Sequence, residues 1–343
     1  MSRVTLQKSG HTFEVADGDT ILAAAMAAGF TLPYGCRNGA CGSCKARVVE
    51  GRVEHGNHQP YTLTPGEKEA GLALLCCARP LGDVVVDARE IGGAGEIPVK
   101  KLPCRVESIH KPAPDVAVLR LRLPANERLQ FLAGQYLEMI MRDGKRRAYS
   151  MANPPHQGEH VELHVRHMAG GAFTGYVFNT LKEKDILRFE GPMGTFFLRE
   201  DSALPIVFVA SGTGFAPIKA ILEHAFHTGV DRPMVLYWGG RRPVDLYMAD
   251  LARQWERDHP GFRFVPVVSD AEPGDAWSGR TGFVHLAVLE DFPDLSGHQV
   301  YACGAPVVVE AARRDFTSLA RLPEEAFFSD AFTPSRDALE AAG

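Results

Sequence analysis

The chain has 343 residues, of which 45% are hydrophobic and 23% charged, and its net charge is −5 at pH 7. This composition provides apolar material for two or three globular cores and lacks the bias of a disordered or fibrous protein. The charge is uneven, at about +4 for residues 96–200 and about −8 for residues 201–343. No basic patch with interleaved aromatic residues indicates nucleic-acid binding, whereas the basic middle third favours an anionic cofactor.

The cysteine content and the first apolar run bear on the compartment. Seven cysteines is an odd number, and three lie within nine residues, which favours a metal site in a reducing compartment over a disulfide framework. The apolar run 20–30 follows two acidic residues and contains Gly29, so it lacks the basic flank of a signal peptide and the length of a membrane span. We therefore expect a cytoplasmic protein without membrane association.

Changes in the pattern of strand-like and helix-like runs divide the chain into three predicted domains, at residues 1–95, 99–200 and 201–343. The glycine-rich stretch 92–95, followed by Pro98, separates the first from the second. The first domain opens with strand-like runs at 3–6 and 11–15 and continues into a helix from Thr20, which predicts a hairpin followed by a helix.

The second domain consists of successive strand-like runs with one helix candidate, at residues 175–181. This pattern favours an antiparallel barrel. Its predicted strands are 104–109, 116–123, 135–141, 146–151 and 161–165.

The third domain alternates strands with helices, which predicts a doubly wound parallel sheet. Its helices follow Pro217, Val244 and Pro306. Its predicted strands are 206–210, 235–238 and 264–268.

Three cysteines in the first domain have a distinctive spacing. Cys36, Cys41 and Cys44 form C-x4-C-x2-C, and the pair Cys76 and Cys77 lies about thirty residues further on. This is the ligand spacing of a plant-type 2Fe-2S cluster, and the intervening glycines let the backbone turn its N–H groups toward sulfur. A zinc site is the alternative, but zinc sites favour two paired C-x2-C elements. Only one member of the Cys76–Cys77 pair can point into the cluster if that segment is extended.

A flavin-like constellation lies on the fourth strand of the predicted barrel. Arg147 and Tyr149 point to one face of the strand, and Ser150 follows them. Arginine can fork onto pyrophosphate oxygens, tyrosine offers a flat face to an isoalloxazine ring, and a serine hydroxyl can hydrogen-bond the flavin N5. The turn that contains Gly171, Ala172 and Thr174 precedes the helix and presents free N–H groups to a phosphate.

Two further turns lie in the third domain. Gly212, Thr213, Gly214 and Pro217 follow a buried strand and open a helix, as in phosphate-binding turns at the carboxyl edge of a parallel sheet. The third glycine of the common dinucleotide fingerprint is missing. Cys303 and Gly304 precede the last helix; viewed in isolation, Cys303 is simply a buried thiol.

Together these motifs resemble the ferredoxin-NADP reductase superfamily, which carries R-x-Y-[ST], G-x-G-x-[AG]-P and C-G-x-P in this order. The resemblance implies FAD bound at Arg147, Tyr149 and Ser150, with its pyrophosphate at the glycine turn and its diphosphate and ribose near His164 and Arg166. The resemblance also implies that Cys303 lies where the nicotinamide and the flavin meet, and that Cys303 and Ser150 are catalytic residues. It also implies a β-grasp ferredoxin domain in which Cys76 is the fourth cluster ligand.

The choice of nicotinamide and the last segment are less constrained. Arg241 and Arg242 could hold a 2′-phosphate, but the acidic third domain and related NADH-dependent reductases favour NADH over NADPH. The terminal stretch 327–332 resembles the superfamily segment that closes over the flavin, which makes Phe332 one candidate among three phenylalanines. An edge strand is the alternative for this stretch.

The domain order resembles oxygenase reductase components and, more closely, the CDP-6-deoxy-3,4-glucoseen reductases of deoxysugar synthesis. This resemblance implies a monomeric reductase that passes electrons from NADH through FAD and the cluster to an acceptor protein. The acceptor expected first is a pyridoxamine-phosphate-dependent CDP-deoxysugar 3-dehydrase. The alternatives are an aromatic-ring or alkane oxygenase as acceptor, or a passive ferredoxin-like carrier.

Overall fold

The computed structural model describes residues 1–92 and 97–333. Its contacts divide the chain into two compact units: residues 1–98 with 193–195, and residues 99–192 with 196–343. Most of the junction predicted at 92–95 lies outside the described residues. No helix in the described ranges is long and apolar enough to cross a membrane.

The first unit contains a five-stranded mixed sheet with strand order β2-β1-β7-β3-β5. The predicted hairpin is the antiparallel β1–β2 pair, and α1 begins after Thr20, whose side chain caps it. The core includes Val4, Leu6, Ile21 and Leu74, which are all buried. The elements are β1 Ser2–Leu6, β2 Thr12–Val15, α1 Ile21–Ala27, β3 Lys45–Glu50, β4 Val53–Glu54, α2 Pro65–Glu69, β5 Leu72–Leu74, β6 Arg79–Pro80 and β7 Val84–Asp87.

The second unit begins with a six-stranded antiparallel sheet of order β11-β10-β13-β8-β9-β12. The sheet curls until its two edge strands meet at a bridge between Met151 and Leu163, which confirms the predicted barrel. The helix begins three residues earlier than predicted, directly after the glycine turn, and strand β13 was not predicted. The elements are β8 Lys100–Ala113, β9 Val116–Arg122, β10 Tyr136–Ile140, β11 Arg146–Ser150, β12 His160–Arg166, α3 Ala172–Asn179 and β13 Ile186–Met193.

The rest of the second unit is a parallel sheet of order β17-β16-β15-β14-β18-β19. It confirms the predicted doubly wound sheet, with Phe208, Leu236 and Trp238 in its core. One predicted helix was misplaced: Pro243–Asp245 forms a single 3₁₀ turn, and α5 begins only at Ala249. The elements are β14 Ile206–Ser211, α4 Phe215–Thr228, β15 Met234–Gly240, α5 Ala249–Asp258, β16 Phe262–Val268, β17 Arg280–Thr281, α6 Val284–Asp291, β18 Gln299–Gly304, α7 Pro306–Leu319 and β19 Phe327–Ala331.

Candidate functional site

The cysteine loop directs backbone N–H groups at sulfur. The Cys36 N–H donates to Cys41 Sγ at 3.3 Å, and the Ala40 N–H donates to Cys36 Sγ at 3.3 Å. Gly39 has a φ of +77°, and a Cβ there would lie 2.8 Å from Cys77 Sγ. The loop can therefore close around the sulfurs only with glycine at this position.

The four expected ligands form two thiol pairs. A hydrogen bond with Cys41 lowers the pKa of Cys36 to about 7, and contact with Cys44 raises the pKa of Cys76 to about 12. No three or more His, Cys, Asp or Glu side chains in the described ranges converge on a single metal position. A 2Fe-2S centre has two irons, each with two protein thiolates, so two pairs fit this cluster better than they fit one zinc ion.

The Cys76–Cys77 pair behaves asymmetrically. Cys76 hydrogen-bonds to Cys44 of the loop, whereas Cys77 Sγ has Cys76 Sγ as its partner, at 3.6 Å. This arrangement supports Cys76 as the fourth ligand, which stays a prediction.

The flavin motif lies on an edge strand of the barrel. Arg147, Tyr149 and Ser150 belong to β11, which pairs with β10. The Tyr149 ring lies 5.1 Å from the ring of Phe173 in α3, and burial raises the pKa of the Tyr149 hydroxyl. Ser150 is buried, and its hydroxyl donates to Asp330 Oδ2 at 3.4 Å.

The predicted pyrophosphate turn is closed by one threonine. Thr174 Oγ1 donates to the Met168 carbonyl at 3.1 Å and accepts from the Met168 N–H at 3.2 Å. Among the residues that the structure describes, no side chain caps the N-terminus of α3, and a Cβ on Gly171 would lie 2.5 Å from Thr174 Oγ1. The first N–H groups of the helix, beginning at Ala172, therefore suit an anion, as a flavin pyrophosphate requires.

The two nicotinamide-type turns lie side by side. Strands β14 and β18 are parallel neighbours, with Ala210 opposite Cys303. A Cβ on Gly214 would overlap the Cys303 carbonyl, and the Ala305 N–H donates to Ser211 Oγ at 2.8 Å. Both turns therefore open at the carboxyl edge of the sheet, where doubly wound folds bind nucleotides.

The loops around these turns also agree with a dinucleotide site. Gly212 has a φ of +53°, and its carbonyl accepts from the Trp238 indole at 3.0 Å. Thr213 lies between Gly212 and Gly214 in a single 3₁₀ turn, and Pro217 follows in the first turn of α4. Gly304, with a φ of +129°, accepts from the Phe332 N–H at 2.8 Å through its carbonyl.

Comparison with known families matches all three domains. Residues 4–81 match the 2Fe-2S iron-sulfur cluster binding domain, residues 103–198 the oxidoreductase FAD-binding domain, and residues 208–314 the oxidoreductase NAD-binding domain. The CDP-6-deoxy-L-threo-D-glycero-4-hexulose-3-dehydrase reductase of Yersinia pseudotuberculosis is 44% identical over 97% of this chain and 99% of its own length. The chain belongs to this family of 2Fe-2S flavoprotein reductases.

Other members of the family act with oxygenases. Reductase component 1 of terephthalate 1,2-dioxygenase from Comamonas sp. is 36% identical over 97% of this chain and 98% of its own length. The crystal structure of an Amycolatopsis cytochrome P450 reductase superposes with a TM-score of 0.74 at 36% identity, covering 97% of this chain and 99% of that one. This chain is therefore an NAD(P)H-dependent flavin oxidoreductase with a 2Fe-2S domain.

One buried acid of the reductase site was missed by the sequence reasoning. Asp330 lies on β19 opposite Cys303 of β18, and it accepts the Ser150 hydroxyl. Burial raises the pKa of Asp330 to about 6, and burial also raises the pKa of Cys303. The sequence gives no signal for this role, because a single Asp in a short apolar strand reveals neither its burial nor its partner.

His164 and Arg166 have partners that the sequence did not indicate. The His164 ring lies between Glu162 and Tyr247, and Arg166 forms ion pairs with Asp245 and Asp115. Their role at the flavin stays a prediction, since the structure places these side chains against carboxylates and the hydroxyl of a tyrosine.

The terminal phenylalanines differ in their surroundings. Phe327 packs under the Arg313 guanidinium, and the Phe328 ring stacks on that of Tyr301 at 4.7 Å. Phe332 is half-buried and is held at Gly304 by its backbone. The role of Phe332 in covering the flavin stays a prediction, and β19 is the edge strand considered as the alternative.

Proposed function

We propose that this reductase passes electrons from NADH through FAD and the 2Fe-2S cluster to a pyridoxamine-phosphate-dependent CDP-deoxysugar 3-dehydrase. The observation that carries the choice of acceptor is the 44% identity, over nearly the whole of both chains, to a reductase named for a CDP-hexulose 3-dehydrase. The reductase components of terephthalate 1,2-dioxygenase and phenol 2-monooxygenase are 36% and 35% identical over similar lengths, and the reductase subunit of an aromatic O-demethylase is 38% identical.

Arg147, Tyr149 and Ser150 would hold FAD, which would supply the conversion of a two-electron hydride donor into single electrons for the cluster. The Ser150 hydroxyl donates to Asp330, so the lone pairs of Ser150 Oγ could accept a hydrogen bond from the N5–H of a flavin once it is reduced. Asp330 thereby fixes the orientation of that hydroxyl. Gly214 and Gly304 let the two turns pack against each other, and Gly212 lets the Arg166 guanidinium pack against the first turn. The N–H groups that open α4 could then bind the nicotinamide diphosphate.

A preference for NADH is supported by the charges around Arg242. Its guanidinium binds both carboxylate oxygens of Asp275, at 2.7 Å each, and also contacts Glu272. Arg241 lies 3.3 Å from Asp270. Because a 2′-phosphate would have to displace these carboxylates, an uncharged ribose is the better fit beyond the end of β15.

The experiment combines the purified holoenzyme with NADH and each class of acceptor. We expect NADH oxidation to be coupled to sugar 3-deoxygenation when the CDP-deoxysugar dehydrase and its substrate are present. If NADH oxidation were coupled only to hydroxylation by an oxygenase, the acceptor would be an oxygenase and not the dehydrase. Absence of NADH-dependent reduction of any artificial acceptor would reject both, and would leave the passive carrier.

A further inference from the structure

Three side chains on one face of strand β12 contact the NAD-binding domain. Glu162, His164 and Arg166 alternate with inward-facing residues along the barrel strand, as the period of two requires. Glu162 meets Lys219 of α4, His164 meets Tyr247, and Arg166 meets Asp245. We call these three residues the β12 ladder.

The first rung of the ladder is a buried ion-pair network. The Lys219 ammonium lies 3.1 Å from Glu162 Oε1, and it donates to Glu223 Oε2 at 3.0 Å and to the Ala152 carbonyl at 3.1 Å. An ammonium has three N–H donors, so these three partners satisfy it completely. Lys219 is only 7% exposed, and losing one partner would leave a buried charge without compensation.

The second rung consists of hydrogen bonds with a defined direction. Burial lowers the pKa of His164, which favours the neutral ring. Its Nε2 lies 3.1 Å from Glu162 Oε1 and its Nδ1 lies 2.7 Å from the Tyr247 hydroxyl. A carboxylate can only accept, so Nε2 carries the proton and the tyrosine donates to Nδ1.

The third rung reaches the nicotinamide turn itself. Arg166 lies 3.3 Å from Asp245, and its Nη1 would lie 3.1 Å from a Cβ on Gly212. At the other end of the ladder, Ala152 lies two residues after Ser150. The ladder therefore begins beside the flavin motif and ends against the glycine turn.

We infer that the β12 ladder sets the distance between the two cofactor sites, and that Lys219 is a positioning residue for hydride transfer. The inference rests on the proposed NADH-to-FAD reaction. Hydride transfer requires donor and acceptor at near-contact distance, and a displacement of about 1 Å can slow such a step roughly a hundredfold. Lys219 acts on this distance because it holds α4, which opens at the nicotinamide turn, to the barrel.

The test is Lys219→Met, which keeps the unbranched side chain as far as its ε carbon and removes the ammonium group. We expect the rate of flavin reduction by NADH in stopped flow to fall roughly ten- to a hundredfold, while KM for NADH changes little. Hydrogen exchange of the holoenzyme supplies a readout besides activity: amides of β12 and α4 are expected to exchange faster. Lys219→Arg, which keeps the charge, is expected to restore most of the rate.

Lys100→Met is the matched control, because Lys100 forms a 3.0 Å ion pair with Glu127 on the barrel side alone. It is expected to leave flavin reduction and the exchange of β12 and α4 unchanged. If Lys219→Met does not fold, Tyr247→Phe removes only the hydroxyl that His164 accepts from, and the same two measurements apply. The double variant Lys219→Met with Glu162→Gln removes both charges of the Lys219–Glu162 ion pair together.

Flavin reduction at the normal rate per bound flavin in Lys219→Met would overturn the inference, even if the protein melts at a lower temperature. A rise in KM for NADH with kcat unchanged would also overturn it, since it would indicate a binding role. If the unaltered protein did not oxidise NADH, the proposed function would fail. Hydrogen exchange at β12 and α4 would then decide whether Lys219 joins the two sites.

Discussion

The cysteine loop and the flavin–nicotinamide site hold their chemistry in different ways. In the loop, backbone N–H groups and glycines within residues 35–44 surround the sulfurs, and of the four expected ligands Cys76 alone comes from a distant part of the chain. In the flavin–nicotinamide site, side chains from β11 and β19 meet through a hydrogen bond, and side chains from β12 and α4 meet through a buried ion pair. Local backbone conformation therefore controls the first site, and contacts between distant elements control the second.

The largest expected effect separates the two sites completely. Cys76→Ala removes one of the four predicted thiolates, so we expect loss of the cluster absorption and of electron delivery to a cluster-dependent acceptor. Reduction of FAD by NADH, followed with a small acceptor that oxidises flavin directly, should persist because the second site is intact. Both quantities are measured by visible spectroscopy and steady-state kinetics.

Cys77→Ala is the matched control, since Cys77 is adjacent and equally buried. It is expected to retain the cluster. The opposite result, with loss of the cluster in Cys77→Ala and retention in Cys76→Ala, would exchange the two cysteines as ligands.

Gly39→Ala tests whether backbone conformation controls the loop. The substitution places a Cβ 2.8 Å from Cys77 Sγ and from His58 Cβ, on a residue with a left-handed φ of +77°. We expect a lower iron content and destabilisation of about 1–3 kcal/mol, measured by iron analysis and thermal unfolding. Gly10→Ala has a similar φ of +74° with nothing within 4 Å, so it carries the conformational cost without the clash. Equal iron loss in both variants would contradict the close-approach argument.

The 2Fe-2S domain could be predicted from the sequence more directly than the contacts of the flavin–nicotinamide site. The spacing of Cys36, Cys41 and Cys44 predicts the cluster because three of its four expected ligands lie in one short segment. The predicted start of α3 was three residues late, because the helix begins directly after Gly171. The predicted start of α5 was too early, because the 3₁₀ turn Pro243–Asp245 precedes the helix. Asp330 and Lys219 could not be identified, since their roles depend on partners 180 and 57 residues away in the chain.

Asp330→Asn tests the buried acid of the assembled site. Burial raises the pKa of Asp330 to about 6, above its ordinary value, so the folded protein binds this proton more tightly than the unfolded chain. The resulting stability is present at low pH and is lost as the pH rises through about 6. Between pH 5 and pH 7 the unaltered holoenzyme should therefore lose roughly 1 kcal/mol relative to Asp330→Asn. If the unfolding temperatures of the two proteins changed with pH in the same way between pH 5 and pH 7, the raised pKa of Asp330 would be contradicted.

Asp275→Asn is expected to have the smallest effect, because it alters only the edge of the assembled site. Removing this carboxylate frees part of the Arg242 guanidinium, which then can bind a 2′-phosphate. We expect kcat/KM for NADPH to rise roughly threefold to tenfold relative to that for NADH, about 1 kcal/mol of binding energy. Asp294→Asn, which loses an exposed ion pair with Arg321 elsewhere in the same domain, should leave the ratio unchanged. An unchanged ratio in both variants would mean that Arg242 does not face the ribose, and the preference for NADH would then need a different physical cause.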